Sequence, residues 1–130
     1  MNDKKRKESL VKIACCQMEP FVGKKSDNLK KSIEMIKEAA SNGANLIVLP
    51  ELCNSGYVFE TREEAFALSE NIPSGECCKS WSKVCEELGV HIVAGINERY
   101  GDLLYNSSVV LGPNGYVGTF RKVHLWNEEN

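Results

Sequence analysis

The segment Leu46-Ile47-Val48-Leu49-Pro50-Glu51 constrains the fold of this chain more than any other. Four consecutive apolar residues suit a strand covered on both faces. Pro50 then removes a backbone donor and stiffens the turn that carries Glu51. Upstream, Val11–Cys16 reads as a first strand, and a loop with Pro20 and Gly23 follows. Leu29, Ile33, Ile36 and Ala40 recur at helical spacing, with Ser26 or Asp27 placed to cap that helix. Asn42-Gly43 ends it, because glycine takes the left-handed conformation without strain. Strand, helix, strand in this order predicts a βαβ unit with parallel strands.

The rest of the chain extends a mixed α/β arrangement. Residues 63–70 read as a short helix. After Pro73-Ser74-Gly75, a second helix places Cys77, Trp81, Val84, Cys85 and Leu88 on one face, with Ser74 as its cap and Gly89 as its stop. His91–Ile96 reads as a strand. Leu104–Leu111, the turn Gly112-Pro113-Asn114-Gly115 and Tyr116–Phe120 read as a β-hairpin. The 130 residues suit one domain, with no repeat or linker.

Composition excludes several classes. A net charge of −2 provides no field that favours nucleic acid or an acidic membrane. The run Lys4-Lys5-Arg6-Lys7 belongs to a basic, flexible tail over residues 1–9. No apolar stretch is long enough for a secretory signal or a membrane span. The six cysteines, at 15, 16, 53, 77, 78 and 85, lack the Cys-x-x-Cys spacing of a zinc site. With nothing pointing to secretion, they read as reduced thiols in a cytoplasmic protein, most of them small hydrophobes on apolar faces, with Cys15 and Cys16 in a buried strand.

Two residues stand out for chemistry. Glu51 sits at the end of a buried strand, where open α/β sheets place ligand groups, and is a candidate general base. Lys122, just after the hairpin, is a candidate for stabilising a developing oxyanion. Each also has a plain reading as a surface charge. Arg121 is expected to face solvent or join an ion pair. His124 is expected to be packed or hydrogen-bonded. Asn106, in an otherwise apolar strand, needs a hydrogen-bonding partner, and a structural duty is the expectation. Cys53 lies two residues from Glu51, but nothing local would lower its thiol pKa.

Several stretches together resemble the nitrilase superfamily of carbon–nitrogen hydrolases. They are Ile13–Met18, Ala44–Leu52, Gly56-Tyr57, Val93–Ile96, Tyr105–Ser107, Gly115 and Phe120–Leu125, in matching order and approximate spacing. The resemblance implies an α-β-β-α sandwich, here only its N-terminal portion over residues 10–130: one mixed sheet with covering helices. It also implies a Glu-Lys-Cys triad, in which Glu51 matches the general base and Lys122 the lysine. The matching cysteine is expected a few dozen residues beyond Lys122, past the end of this chain. A further family glutamate would fall at Glu129 or Glu128. No metal or organic cofactor is implied. Small amide, N-carbamoyl or nitrile substrates and homo-oligomers are implied for the complete enzyme, while this chain alone is expected to be inactive. Two alternatives remain: a non-catalytic binding or assembly module, or an inactive truncated fragment. Half a sandwich is also expected to expose an apolar sheet face.

Overall fold

The computed structural model describes residues 10–126. The basic run at 4–7 and both Glu128 and Glu129 lie outside the described residues. The elements are β1 (Ile13–Cys15), α1 (Lys25–Ser41), β2 (Leu46–Val48), α2 (Arg62–Ala67), α3 (Glu76–Leu88), β3 (His91–Tyr100), β4 (Leu103–Gly112) and β5 (Gly115–Arg121). The strands form one five-stranded sheet in sequence order, β1-β2-β3-β4-β5. The first three strands run parallel, and β4 and β5 add as antiparallel hairpins. The mixed sheet, the βαβ unit and the Gly112–Gly115 hairpin turn are thus as the sequence patterning predicts.

One face of the sheet is the core. Ile47, Ile92, Ala94, Ile96, Val109 and Leu111 are buried there beneath α1 and α3. The apolar stripe of α1 supplies Leu29 and Ile36, and that of α3 supplies Cys77, Trp81, Val84 and Cys85. Trp81 is fully buried, and its indole Nε1 donates to Ser32 Oγ at 2.8 Å, joining the two helices. A polar group this deep needs such a partner, since leaving it unmade costs about 1–3 kcal/mol.

The opposite face is different. Alternation along the strands places Ile13, Cys15, Leu46, Val48, Val93, Val110 and Phe120 there, all partly or fully exposed among the described residues. This corrects two expectations. Cys15 is exposed rather than buried, and β2 is covered on one face only, with Ile47 inaccessible but Leu46 and Val48 half-buried.

Local details differ from the sequence reading in further places. The first strand spans only Ile13–Cys15. Helix α1 begins at Lys25 without a side-chain cap, so Ser26 and Asp27 lie inside its first turn. Asn28 instead stitches the entry loop, accepting from Phe21 N at 2.9 Å and donating to Phe21 O at 2.8 Å. The residue 63–70 helix runs from Arg62 to Ala67, capped by Thr61, whose hydroxyl accepts from Glu64 N at 3.1 Å. Helix α3 has Gly75 at its N-cap rather than Ser74, and its Cys77 N–H donates to the distant carboxylate of Glu70 at 2.8 Å.

Candidate active site

Strand β2 ends at Val48, and the chain then turns through Pro50–Gly56 against β3. Gly95 N donates to Pro50 O at 3.1 Å, and Cys53 N donates to Gly95 O at 2.9 Å. Between these two bonds Glu51 is pressed onto the face of Gly95. A Cβ at position 95 would lie 2.5 Å from both Glu51 Cα and Pro50 O, so only glycine fits. Leu52 completes the turn at φ 47°, a strained conformation for a side chain branched at Cγ.

The turn is held from below by buried polar groups. Asn54, fully buried, accepts from Asn97 N at 2.8 Å and donates to Glu70 Oε2 at 3.0 Å. Its carbonyl accepts from Asn28 Nδ2 at 3.2 Å. Burial pushes the Glu70 carboxyl pKa up, but hydrogen bonds from Cys77 and Asn54 and the charge of Lys25 outweigh this and hold it below its ordinary value. Glu70 therefore stays ionised and ties together α1, α3 and the Glu51 turn.

Glu51 must reach across β3 to meet the last two strands. Asn106 on β4 and Lys122 just past β5 are backbone neighbours, with Lys122 N donating to Asn106 O at 2.8 Å. Their side chains consequently share the open face of the sheet. Lys122 Nζ lies 3.0 Å from Glu51 Oε1, and Asn106 Nδ2 donates to the same oxygen at 2.7 Å. The Glu51 carboxylate and the Lys122 ammonium are both partly open, with 47% and 35% side-chain exposure. They line a cleft of about 340 Å³ with Val48, Val93, Gly95 and Phe120. A larger cavity of about 490 Å³ adjoins it, lined by Leu52, Tyr57, Arg62, Leu104 and Tyr105, with Asn106 common to both.

The neighbouring residues separate by face. Arg121 points the other way and forms a bidentate ion pair with buried Glu98, with Nη2 to Oε1 at 2.7 Å, while its guanidinium stacks 3.8 Å over the Tyr105 ring. The ion-pair expectation for Arg121 therefore holds. His124 is exposed, not packed. Cys53 points into the core beside Met18, and burial pushes its thiol up to about 12. Burial likewise raises Cys78 to about 12 and Cys85 to about 11, and raises Cys16 and Cys77. None of these five is a ready thiolate near neutral pH.

The sequence reading brought Glu51 and Lys122 forward and the structure puts them in contact. It gave Asn106 a structural duty, and the bond to Glu51 was not foreseen. Gly95 had a usable signal, since a glycine inside an apolar strand marks a close backbone approach. Glu70 and Asn54 carried no such signal, because they meet each other across 16 residues and Asn54 meets Asn97 across 43.

Comparison with known proteins identifies the family. The family model described as Carbon-nitrogen hydrolase matches residues 12–130. The nitrilase of Pyrococcus abyssi (strain GE5 / Orsay) is 48% identical over 120 residues, covering 92% of this chain and 46% of the relative. The omega-amidase NIT2-B of Xenopus laevis is 40% identical over 105 residues, covering 79% of this chain and 37% of the relative. The chain thus spans about half, or less, of the length of these relatives. The crystal structure of an N-terminal amidase superposes with a TM-score of 0.82 at 22% identity, covering 92% of this chain and 29% of that one, which is a likeness of fold. Given the match along nearly its whole length, this chain belongs to the carbon–nitrogen hydrolase family, within the nitrilase superfamily.

Proposed function

We propose that this chain is the N-terminal part of a thiol hydrolase that cleaves non-peptide carbon–nitrogen bonds in small amides or N-carbamoyl compounds. The contact between Glu51 and Lys122 carries this reading. A carboxylate and an ammonium 3.0 Å apart, both open to one cleft, form a base beside an oxyanion stabiliser. The similarity to omega-amidases supports an amide, and the similarity to a nitrilase at higher identity keeps a nitrile as the second reading.

In this reading the nucleophile is a cysteine supplied by the remainder of the fold, against the open face of the sheet. Glu51 takes the thiol proton as sulfur attacks the carbonyl carbon. Lys122 and a backbone N–H hold the oxygen of the tetrahedral intermediate. Glu51 passes that proton to the nitrogen, which departs as ammonia or an amine and leaves a thioester. Glu51 then removes a proton from water, which attacks the thioester and releases the acid and the thiol. The working enzyme is cytoplasmic and pairs its subunits through elements beyond this chain.

Ammonia release tests the proposal. A panel of primary amides, N-carbamoyl compounds and nitriles is offered to the chain alone, and to the chain joined to the cysteine-bearing second half of a close relative. The joined protein is expected to turn over at least one amide and the chain alone none, since a triad without its nucleophile retains little chemistry. An acyl-thioester trapped on Cys53 of the chain alone, detected by mass spectrometry, contradicts this assignment.

A further inference from the structure

Among the described residues, both contacts of the Glu51 side chain fall on one oxygen. Asn106 Nδ2 and Lys122 Nζ meet at Oε1, at 2.7 and 3.0 Å. Donors stabilise negative charge where they bind, so Oε1 becomes the weaker proton acceptor of the two oxygens. We propose that Asn106 is a positioning residue for the hydrolysis, anchoring Oε1 of Glu51 together with Lys122 so that Oε2 is the oxygen that exchanges protons at the reaction centre. The inference rests on the hydrolase reading above and adds to it the role of Asn106 and the identity of the working oxygen.

Lysine alone anchors poorly. Its four-carbon stem is flexible and its ammonium donates in any direction. The terminal torsion of a glutamate is broad and nearly two-fold, so one contact lets the two oxygens exchange places. The Asn106 amide has a short stem rooted in β4, between Asn97 on one side and Lys122 on the other. It donates in a fixed direction, carries no charge and does not titrate. A second donor of this kind stops the carboxylate from turning over, and a proton-transfer group displaced by about 1 Å can cost about 100-fold in rate.

The position of Asn106 also fits this role better than a purely structural one. It is half-buried, so burial does not force it to find a partner. It is the residue that both cavities share, between the Glu51–Lys122 cleft and the larger chamber.

Two measurements decide the matter. The first is nuclear magnetic resonance on the ¹⁵N-labelled chain, comparing wild type with Glu51→Gln. The Asn106 side-chain amide pair is expected to be widely split in the wild type, with one proton bonded to the carboxylate, and to move on substitution. No response of that pair overturns the anchoring. The second is steady-state kinetics of Asn106→Leu in the joined, cysteine-containing protein. About a 10–100-fold loss of kcat is expected, with KM within about twofold and an unchanged urea midpoint. A rise in KM at constant kcat, or a loss confined to stability, overturns it. If Asn106→Leu fails to fold, the resonance experiment still decides. If the wild-type joined protein does not hydrolyse any amide, the hydrolase reading fails by itself, and the resonance experiment still reports on the anchor.

Discussion

Gly95 lies directly under Glu51: a Cβ at position 95 would stand 2.5 Å from the Glu51 Cα. The carboxylate is thus aimed by a backbone-on-backbone contact in the middle of the sheet, and its aim depends on a missing side chain.

Gly95→Ala forces the Pro50–Leu52 turn away from β3, because the colliding atoms are backbone and cannot rotate aside. Overpacking of this kind typically costs about 1–3 kcal/mol. A lowered urea midpoint is expected, with a Glu51–Lys122 separation beyond hydrogen-bond range in a crystal structure of the variant. An unchanged midpoint and an intact contact would show that the turn is not seated on Gly95.

Glu70 links acid stability to the site. Its folded pKa is depressed, so its contribution is fully present above the unfolded carboxylate range and is lost as pH falls through the folded value. Denaturant titrations from pH 7 down to pH 3 are expected to show this acid limb. Glu70→Gln flattens the limb and lowers stability at pH 7 by about 1–3 kcal/mol, since the Cys77 N–H and the Asn54 amide lose an ionised acceptor. A variant with the wild-type acid limb would remove Glu70 from this role.

Thiol accessibility separates one cysteine from the rest. Cys15 is exposed, whereas Cys16, Cys53, Cys77, Cys78 and Cys85 are buried. Burial also raises the pKa of each of those five thiols. Iodoacetamide at pH 7.5 followed by mass spectrometry is expected to give one rapid adduct, on Cys15, and five more only on unfolding. Rapid labelling of Cys53 in the folded chain would contradict the placement of its thiol in the core.

The open sheet face carries Phe120 at 64% exposure and Ile13 at 59%. Contiguous apolar surface of this kind promotes association. Sedimentation velocity of the chain alone is expected to show self-association that rises with concentration and weakens in Phe120→Lys. A monodisperse monomer at high concentration would mean that this face is stable in water.

Much of the fold was readable because it depends on local periodicity. The stripes of α1 and α3, the stop at Gly89 and the Gly112–Gly115 turn follow from spacing alone, and the structure has them. Caps were read less well. Neither Ser26 nor Asp27 caps α1, the Cys77 N–H expected to meet Ser74 goes to Glu70 seven positions away, and Thr61 caps α2, for which the sequence suggested no cap. Strand β3 continues past Ile96 through Asn97, Glu98 and Arg99. No apolar pattern signals this, because the buried Asn97 and Glu98 are satisfied by Asn54, Ser107 and Arg121 from elsewhere in the chain. In the candidate site, Glu51 and Lys122 stand out from plain surface charges through the family resemblance of the motifs that carry them, and the structure brings their side chains together. The bond from Asn106 to Glu51 was not legible, because it depends on β4 and the Glu51 turn both packing against β3.

The most direct test of the Glu51–Lys122 pair is a double-mutant cycle on amide hydrolysis by the joined, cysteine-containing protein. Groups that act as one unit lose nearly the same rate singly and together. Glu51→Gln, Lys122→Met and the double variant are each expected to lose kcat by about 10³-fold or more, with the double no worse than about tenfold below the weaker single. Single variants that keep kcat within tenfold of wild type would contradict the account, as would losses that simply multiply.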